Sequence, residues 1–273
     1  MGQVHDTRFG LNPTRPSSNF IYGLNMRSTI LVGSLPLILS SAICAADPPK
    51  PDGEWRGSFG AGLSAATGNT DSTSFNINGD AVRATPIDEW DFGTTALYGT
   101  KTSDGESSET ANLARAFGKY DRNINDQIFG FGSLDFEHDK LQELDLRSVF
   151  ALGLGYHLIK TDSTIFDVSS GVTYNHETYT DLVRSSEEIV VAEETSHKLS
   201  DTTSIKQRFA IYPNLTESGQ YRAQFDASLV TSLSEHLSLQ MSVSDRYQSN
   251  PLPDIKKNDL LFLTSVNFKF GPK

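Results

Sequence analysis

The sequence has little cysteine, no excess of positive charge and few long apolar runs. Cys44 is the only cysteine among the 273 residues, which excludes an intrachain disulfide. Lys and Arg number 23 against 34 Asp and Glu, so the net charge is −11, which argues against nucleic-acid binding because that needs a clustered basic surface. After residue 46 no run approaches the roughly 18 apolar residues of a membrane helix. The sequence therefore predicts no helical anchor beyond that point.

The one long apolar run lies near the start of the chain. Ile30–Ile43 follows Arg27 and is followed by small residues around Ala45, the arrangement of a secretory signal peptide. Met26 stands where such a peptide would begin. Cleavage just after Ala45 would remove Cys44, whereas lipidation would retain it as the first residue. The isoleucine before Cys44 favours plain cleavage, and the sequence predicts an exported chain.

From Trp55 onward the chain alternates apolar and polar residues with a period of two. The clearest case is 146–174, where two long arms flank a break near His157. The apolar parity of this hairpin holds Leu146, Phe150, Leu152, Leu154, Tyr156, Phe166, Val168, Val172 and Tyr174. Such alternation predicts strands with one apolar face. The arms exceed the usual strand of about 5–6 residues and approach the roughly 9–11 that cross a bilayer.

The connections between predicted strands supply a second signal. Compact turns are predicted at Thr85–Asp88, Arg122–Asn125, His157–Asp162, Ser200–Thr202 and Ser234–His236, and longer acidic loops at Ser103–Ser108, Glu137–Asp145, Glu177–Glu188 and Gln248–Asn258. Aromatic residues near strand ends fit two interfacial girdles. Short and long connections in alternation, with an even strand number, are typical of outer-membrane barrels. The sequence thus predicts an all-β fold, a closed antiparallel up-and-down transmembrane β-barrel of about 12 strands.

The predicted organisation is a disordered leader or over-called start at 1–25, a signal peptide at 26–46, a short periplasmic linker at 47–54, the barrel at 55–270 and a tail at 271–273.

Several short motifs carry a family resemblance over about Trp55–Phe270. They are Trp55-x-Gly57, Gly68-Asn69-Thr70, Gly153-Leu154-Gly155-Tyr156, Gly171-x-x-Tyr174, Leu199-Ser200-Asp201, Tyr212-Pro213-Asn214-Leu215, Tyr221-Arg222, Pro251 and Lys257-x-Asp259. In their order and spacing the chain resembles the YdiY-like family of salt-induced outer-membrane proteins. The resemblance implies a barrel of unassigned activity and supplies no catalytic motif.

The polar parity of the strands carries many charges. The cations predicted to face the lumen are Arg56, Arg115, Lys119, Arg147, Lys206, Arg208, Arg222 and Arg246, with Lys269, against Asp80, Asp91, Asp167 and Asp226. One interpretation is a narrow conduit with some anion preference, since lumen charges tune selectivity. The other is a salt-bridged interior that fills a narrow barrel and conducts little, because long Arg side chains occupy much of a twelve-stranded lumen.

Residue chemistry points to no cofactor, no metal site and no enzymatic activity. We expect a structural or narrow-channel protein of the cell outer membrane, acting in envelope, salt or osmotic stress. Its partners would be outer-membrane lipid, the barrel-insertion machinery and small ions or solutes, but not nucleic acid. Two alternatives stay open. One is a lipid or peptide hydrolase at the barrel rim, for which His138 and His176 are the candidate bases, and the other is a soluble periplasmic barrel.

Overall fold

A computed structural model describes residues 48–66, 71–103 and 105–272. The predicted leader, signal peptide and Cys44 lie outside the described residues, as does the turn at 67–70. The strands are Trp55–Ala66 (β1), Asp71–Ala84 (β2), Asp88–Ser103 (β3), Glu106–Asn123 (β4), Ile128–Asp139 (β5), Leu144–Lys160 (β6), Thr164–Tyr179 (β7), Val183–Lys198 (β8), Thr203–Pro213 (β9), Tyr221–Ser232 (β10), Leu237–Gln248 (β11) and Asn258–Phe270 (β12). A 3-10 turn at Lys140–Gln142 joins β5 to β6.

Each strand pairs antiparallel with its neighbours in sequence, and β1 pairs with β12 to close the sheet. The closing register runs from Gly57 opposite Phe270 to Ala61 opposite Val266. Closure gives the first and last strands a partner, so neither is a free edge strand. The predicted all-β, closed up-and-down barrel of twelve strands is confirmed. None of the described residues forms a helix long and apolar enough to cross a membrane.

The distribution of side chains is the reverse of that in a soluble protein. Outward positions expose large apolar residues, such as Phe59 (66%), Leu63 (75%) and Leu154 (60%). Inward positions bury polar ones, including Asp226 and Asn267 at 1% each. Alternation along each strand produces this arrangement, because successive side chains point to opposite faces. The barrel therefore has a continuous apolar exterior and a polar, packed interior.

Two groups of outward aromatic residues mark the borders of this apolar exterior. Near the end that carries Trp55 and Phe270, called here the terminal end, Trp90 stacks on Phe92 at 5.8 Å and meets Tyr120 at 4.5 Å. At the opposite, or distal, end the rings of Tyr221 and Tyr247 stack at 5.3 Å. Amphipathic rings at the two limits of an apolar band are typical of barrels with interfacial girdles.

Short turns close the terminal end, as the sequence predicts. Two of them share a Leu-Ser-acid pattern, Leu199-Ser200-Asp201 and Leu233-Ser234-Glu235, which has a physical basis. The Ser200 hydroxyl accepts hydrogen bonds from the backbone N–H groups of Thr202 and Thr203 at 3.2 and 3.1 Å. The Ser234 hydroxyl accepts one from the N–H of Leu237 at 3.1 Å. Hydroxyl groups commonly stabilise turns in this way.

Three of the four predicted long loops at the distal end are wrong. The chain between β3 and β4, between β5 and β6 and between β7 and β8 is short, since the strands continue through most of the residues assigned to loops. Thr102 pairs with Ser107 and Ser103 with Glu106, for example. Ladder hydrogen bonds use the backbone, so polar side chains do not end a strand that has a partner, and β-propensity is a weak guide here. Only residues 249–257, after β11, form a long connection at a predicted position.

Candidate functional site

The distal half of the interior contains a buried ionic cluster on three adjacent strands. Arg147 of β6 donates to Glu137 of β5 at 2.7 Å and to Glu177 of β7 at 2.9 Å. Glu137, Arg147 and Glu177 are register partners, and their side chains are at most 8% exposed. Buried charges persist only when they are paired in good geometry. The cluster is therefore a fixed part of the wall.

Three further arginines of the interior are paired with carboxylates on nearby strands. Arg115 contacts Asp135 at 2.5 Å, Arg222 contacts Glu188 at 2.6 Å and Arg246 contacts Asp226 at 2.8 Å. The pairing of Arg115 is incomplete, because its buried Nη1 makes no hydrogen bond. These pairs and the Arg147 cluster place charged side chains around the inner circumference of the barrel.

A second set of charges spans the interior instead of lining it. Lys119 of β4 contacts Glu194 of β8 at 3.5 Å, and Lys206 of β9 contacts Asp91 of β3 at 3.5 Å. Lys206 also contacts Glu194 at 3.1 Å. β3 and β4 are not sheet neighbours of β8 and β9, so the Lys119–Glu194 and Lys206–Asp91 contacts cross the lumen. Asp91, Lys119, Glu194 and Lys206 are called here the lysine layer.

An interior chamber of about 120 Å³ is bordered by the lysine layer and by Arg115, Arg147, Arg208 and Arg222. Part of its wall is apolar, formed by Phe117, Phe129, Phe131, Val149, Ala151, Val190, Ala192 and Tyr212. Val190, Ala192 and Tyr212 belong to a buried cluster against which Phe131 packs. The chamber thus combines an apolar surface with guanidinium groups.

A larger cavity of about 610 Å³, the vestibule, lies toward the terminal end. It is also lined by all four members of the lysine layer, and by the segment 48–51 that precedes β1. The layer therefore borders both the vestibule and the chamber. At the distal side, a cavity of only about 30 Å³ lies among Arg147, Arg246 and the loop residues Lys256 and Lys257. Free space in the interior narrows sharply from the terminal end to the distal end.

The eight cations predicted to face the lumen lie on the inward parity of their strands, and seven of them form ion pairs. Arg56 is at the terminal end, where it pairs with Asp52 at 2.5 Å and donates to the carbonyl of Pro272. The eighth cation, Arg208, donates to the hydroxyl of Tyr212 at 3.2 Å.

The predicted basic excess of the interior is wrong. Carboxylates that the prediction left out also face inward: Asp135, Glu137, Glu177, Glu188 and Glu194 as ion-pair partners, with Asp139 and Asp259 buried as well. Glu137, Glu177 and Glu188 were missed because they fall in segments predicted to be loops. With these additions the inward carboxylates outnumber the inward cations, so the interior gives no basis for a general preference for anions.

Sequence reasoning also missed the aromatic wall of the chamber. Phe117 interrupts the apolar parity of β4, and β5 has aromatic residues on both parities. In the structure Phe117 points inward over Gly93, whose added Cβ would lie 2.2 Å from the ring, and Phe129 covers Gly155 in the same way at 2.1 Å. A glycine on the neighbouring strand is therefore the sequence signal for an inward aromatic residue, since the glycine leaves room for the ring.

The two histidines proposed as bases for a hydrolase lie at the distal end. His138 Nδ1 is 3.0 Å from the backbone carbonyl oxygen of Asp145, so that nitrogen faces an acceptor and no serine. His176 Nδ1 is 2.8 Å from the hydroxyl of Ser185. Among the described residues no carboxylate lies within 4.0 Å of His176 to orient its ring, as a catalytic base requires. The described residues also contain no group of His, Cys, Asp or Glu that could hold a metal ion.

The fold and interior define a closed twelve-stranded barrel with an apolar exterior and a charged, largely occupied lumen. The chain belongs to the family described as "Protein of unknown function, DUF481", whose profile matches residues 59–270. No curated protein matches the chain.

Among solved structures, the chain is similar to the translocator domain of the autotransporter NalP from Neisseria meningitidis, with 9% identity over 82% of this chain and 89% of that one and a TM-score of 0.43. It is also similar to the NanC porin, with 7% identity over 79% and 97% and a TM-score of 0.42. At these values the likeness carries no argument about function.

Proposed function

We propose that this chain is an outer-membrane barrel whose lumen is a narrow conduit held shut by the lysine layer. One observation carries the proposal: the chamber and the vestibule share Asp91, Lys119, Glu194 and Lys206, and two contacts among them, Lys119–Glu194 and Lys206–Asp91, cross the lumen at 3.5 Å each. A solute passing from one cavity to the other would have to separate them.

The exterior supports placement in a membrane. On β6 the outward apolar residues extend from Leu146 to Tyr156. Ten residue steps of about 3.4 Å, on a strand tilted by about 40°, span roughly 25 Å, the height of the apolar band of an outer-membrane barrel. Lipid would then be the solvent of this surface, and the barrel-insertion machinery would be a necessary partner. The exposed apolar band disfavours the soluble periplasmic alternative.

The lysine layer has the properties of a partition that can open. Lys119 and Glu194 are 28% and 26% exposed, in contrast to the fully enclosed Arg147 cluster. Ion pairs that water reaches are weakened by salt, because mobile ions screen them. Lysine also has a flexible four-carbon stem. A role in salt or osmotic stress, which the name of the resembled family suggests, is part of this proposal and would act through this screening.

Single-channel recording of the refolded protein in planar bilayers tests the conduit. We expect wild-type protein in 0.1 M KCl to show no openings or rare ones, because the layer is closed. Lys119→Met with Lys206→Met removes the contacts and leaves carboxylates that repel each other, so we expect frequent discrete steps. Arg56→Met, at the terminal end, is the matched control and should behave as wild type. Heat-dependent gel mobility verifies that each variant is folded.

A second measurement does not depend on the variants. Raising KCl from 0.1 to 1 M should increase the open fraction of wild-type protein as well as the size of each step. A large steady conductance in wild type, unchanged by the double substitution, would show that the layer is no partition. Absence of steps from folded double variant and from wild type at high salt would leave a purely structural barrel. Recovery of native protein in the periplasmic fraction without detergent would remove the membrane assignment.

A further inference from the structure

We propose that the interior chamber binds a small amphipathic carboxylate, with the guanidinium of Arg208 as the anion anchor. The inference rests on the proposed function for the route of entry, since a ligand would reach the chamber from the vestibule past the lysine layer. Binding itself depends on the chamber's own residues and can be measured without any conductance.

Arg208 is a cation whose neighbouring carboxylates are already engaged. Its register partners are Glu194 on β8 and Asp226 on β10. Glu194 contacts Lys206 at 3.1 Å, and Asp226 accepts two hydrogen bonds from Arg246 at 2.8 and 3.0 Å. Within the part of the chain that the structure describes, no carboxylate lies within 4.0 Å of Arg208. A guanidinium has five N–H donors, and the Tyr212 hydroxyl uses one of them.

A second donor borders the same chamber. The side chain of Arg115 is only 8% exposed. Its Nε and Nη2 donate to Asp135 at 2.9 and 2.5 Å, whereas Nη1 is buried without a hydrogen-bond partner. A buried donor left unsatisfied costs free energy that an incoming acceptor recovers. Guanidinium groups match the planar geometry of a carboxylate, which can accept two parallel hydrogen bonds.

The remaining wall selects for an apolar body of limited size. Phe117, Phe131 and Tyr212 line the chamber, and the guanidinium of Arg222 stacks over the Tyr212 ring at 4.6 Å. An apolar protein cavity of about 150 Å³ holds one benzene ring, so a chamber of about 120 Å³ takes at most one ring or a short alkyl chain. Ring faces favour an aromatic or aliphatic body, while Arg208 favours a carboxylate on it.

Ligand-observed NMR on the folded protein in detergent micelles tests the site. The probe is butyrate, which has as many non-hydrogen atoms as benzene, and 1-butanol is its uncharged counterpart. We expect saturable butyrate binding, with an affinity at least roughly tenfold above that for 1-butanol because a charge-assisted hydrogen bond is lost in the alcohol. Arg208→Gln should weaken butyrate binding roughly 10- to 100-fold and leave the weak binding of the alcohol unchanged. Arg56→Gln, an inward arginine outside the chamber, should leave both unchanged.

The outcomes separate this inference from the conduit. Saturable butyrate binding that depends on Arg208 supports the site even if no channel activity is ever recorded. Equal binding of butyrate and 1-butanol, or equal loss in the Arg208→Gln and Arg56→Gln variants, would overturn it. So would the absence of saturable binding in wild type and in a Lys119→Met, Glu194→Gln, Lys206→Met triple variant, where entry is unobstructed and Glu194 carries no charge beside Arg208. A conducting barrel with none of this binding would keep the conduit and remove the ligand site.

Discussion

Replacing Arg147 by methionine should be among the most damaging single changes in the barrel. Arg147 is the shared cation of Glu137 and Glu177, which it contacts at 2.7 and 2.9 Å, and all three side chains are nearly inaccessible. Removing one member of a buried ionic group leaves uncompensated charge and typically costs about 3–5 kcal/mol. Here two carboxylates would lose their cation together and would also repel each other.

The structure refines that magnitude. Glu177 would still accept hydrogen bonds from Asn175 at 3.1 Å and from the Tyr179 hydroxyl at 3.0 Å. Glu137 has no other hydrogen-bond donor among the described residues, although Arg115 is its register partner on β4. The remaining contacts soften the loss, so we expect the lower part of the range, about 3–4 kcal/mol.

Urea unfolding of the folded protein in micelles, followed by tryptophan fluorescence, measures this cost. Lys140→Met is the matched control, because Lys140 pairs with Glu109 at 2.7 Å but is 59% exposed, and such surface pairs contribute about 0–1 kcal/mol. Salt should reduce the small effect at Lys140 and leave the large effect at Arg147 almost unchanged, since buried charges are screened less.

A third variant, Arg147→Met with Glu137→Gln and Glu177→Gln, separates the loss of pairing from the loss of the side chain. Removing the whole ionic group should restore much of the stability, because the destabilising element is the orphaned charge. If Arg147→Met costs no more than the surface control, or if the triple variant is less stable than the single one, the reasoning about a buried ionic cluster is refuted.

Two further predictions concern the backbone and the terminal end. Gly153→Ala should lower the free energy of unfolding by about 1–3 kcal/mol in the same urea assay, because the added Cβ would lie 2.3 Å from the backbone oxygen of Ser170. Gly130→Ala is the control: its Cβ would have no atom closer than 3.9 Å, so its stability should stay within about 0.5 kcal/mol of wild type. Equal effects of the two substitutions would contradict the packing argument. A hydrogen bond from the Arg56 guanidinium holds the pKa of Asp52 well below its usual range. A carboxyl with a lowered pKa stabilises the folded state above its ordinary pKa of about 3.9 and loses that contribution as the pH falls. The thermal midpoints of wild type and Asp52→Asn should therefore differ near neutral pH and converge in acid, and a gap that widens in acid would contradict this.

Alternation made the fold predictable because a two-residue period has only one structural interpretation over such lengths. The apolar parity of Leu146–Tyr156 required a strand with one apolar face, and closure follows if that face meets lipid, because an open edge would leave backbone groups unpaired there. Parity also predicts the orientation of the adjacent Glu193 and Glu194. One of these two carboxylates on β8 has to face outward, and Glu193 does so, accepting a hydrogen bond from Gln207 of β9.

The distal end was less predictable because both faces of the strands are polar there. Without an apolar parity, residues such as Glu106 and Glu188 have the composition of a loop, although they continue the ladder of their neighbours. The same error removed Glu137, Glu177 and Glu188 from the predicted lumen and produced a false basic excess. Charge balance in a barrel interior therefore cannot be read before the strand ends are known.

The lysine layer shows a second limit of prediction from sequence. Parity gives the face of the sheet on which a side chain lies, but not its position along the barrel axis. Parity predicts that Lys206 and Asp91 face inward, but their contact joins residues 115 positions apart on strands that are not neighbours. It depends on the register of every intervening hairpin. A shift of two residues in one register would keep each apolar side chain outward and yet move Lys206 by about 7 Å along the barrel wall. The exterior tolerates such a shift, whereas a cross-lumen contact of 3.5 Å does not. Any function that depends on the lysine layer is therefore specified by the hairpin registers, and the alternation that identifies the fold contains no information about them.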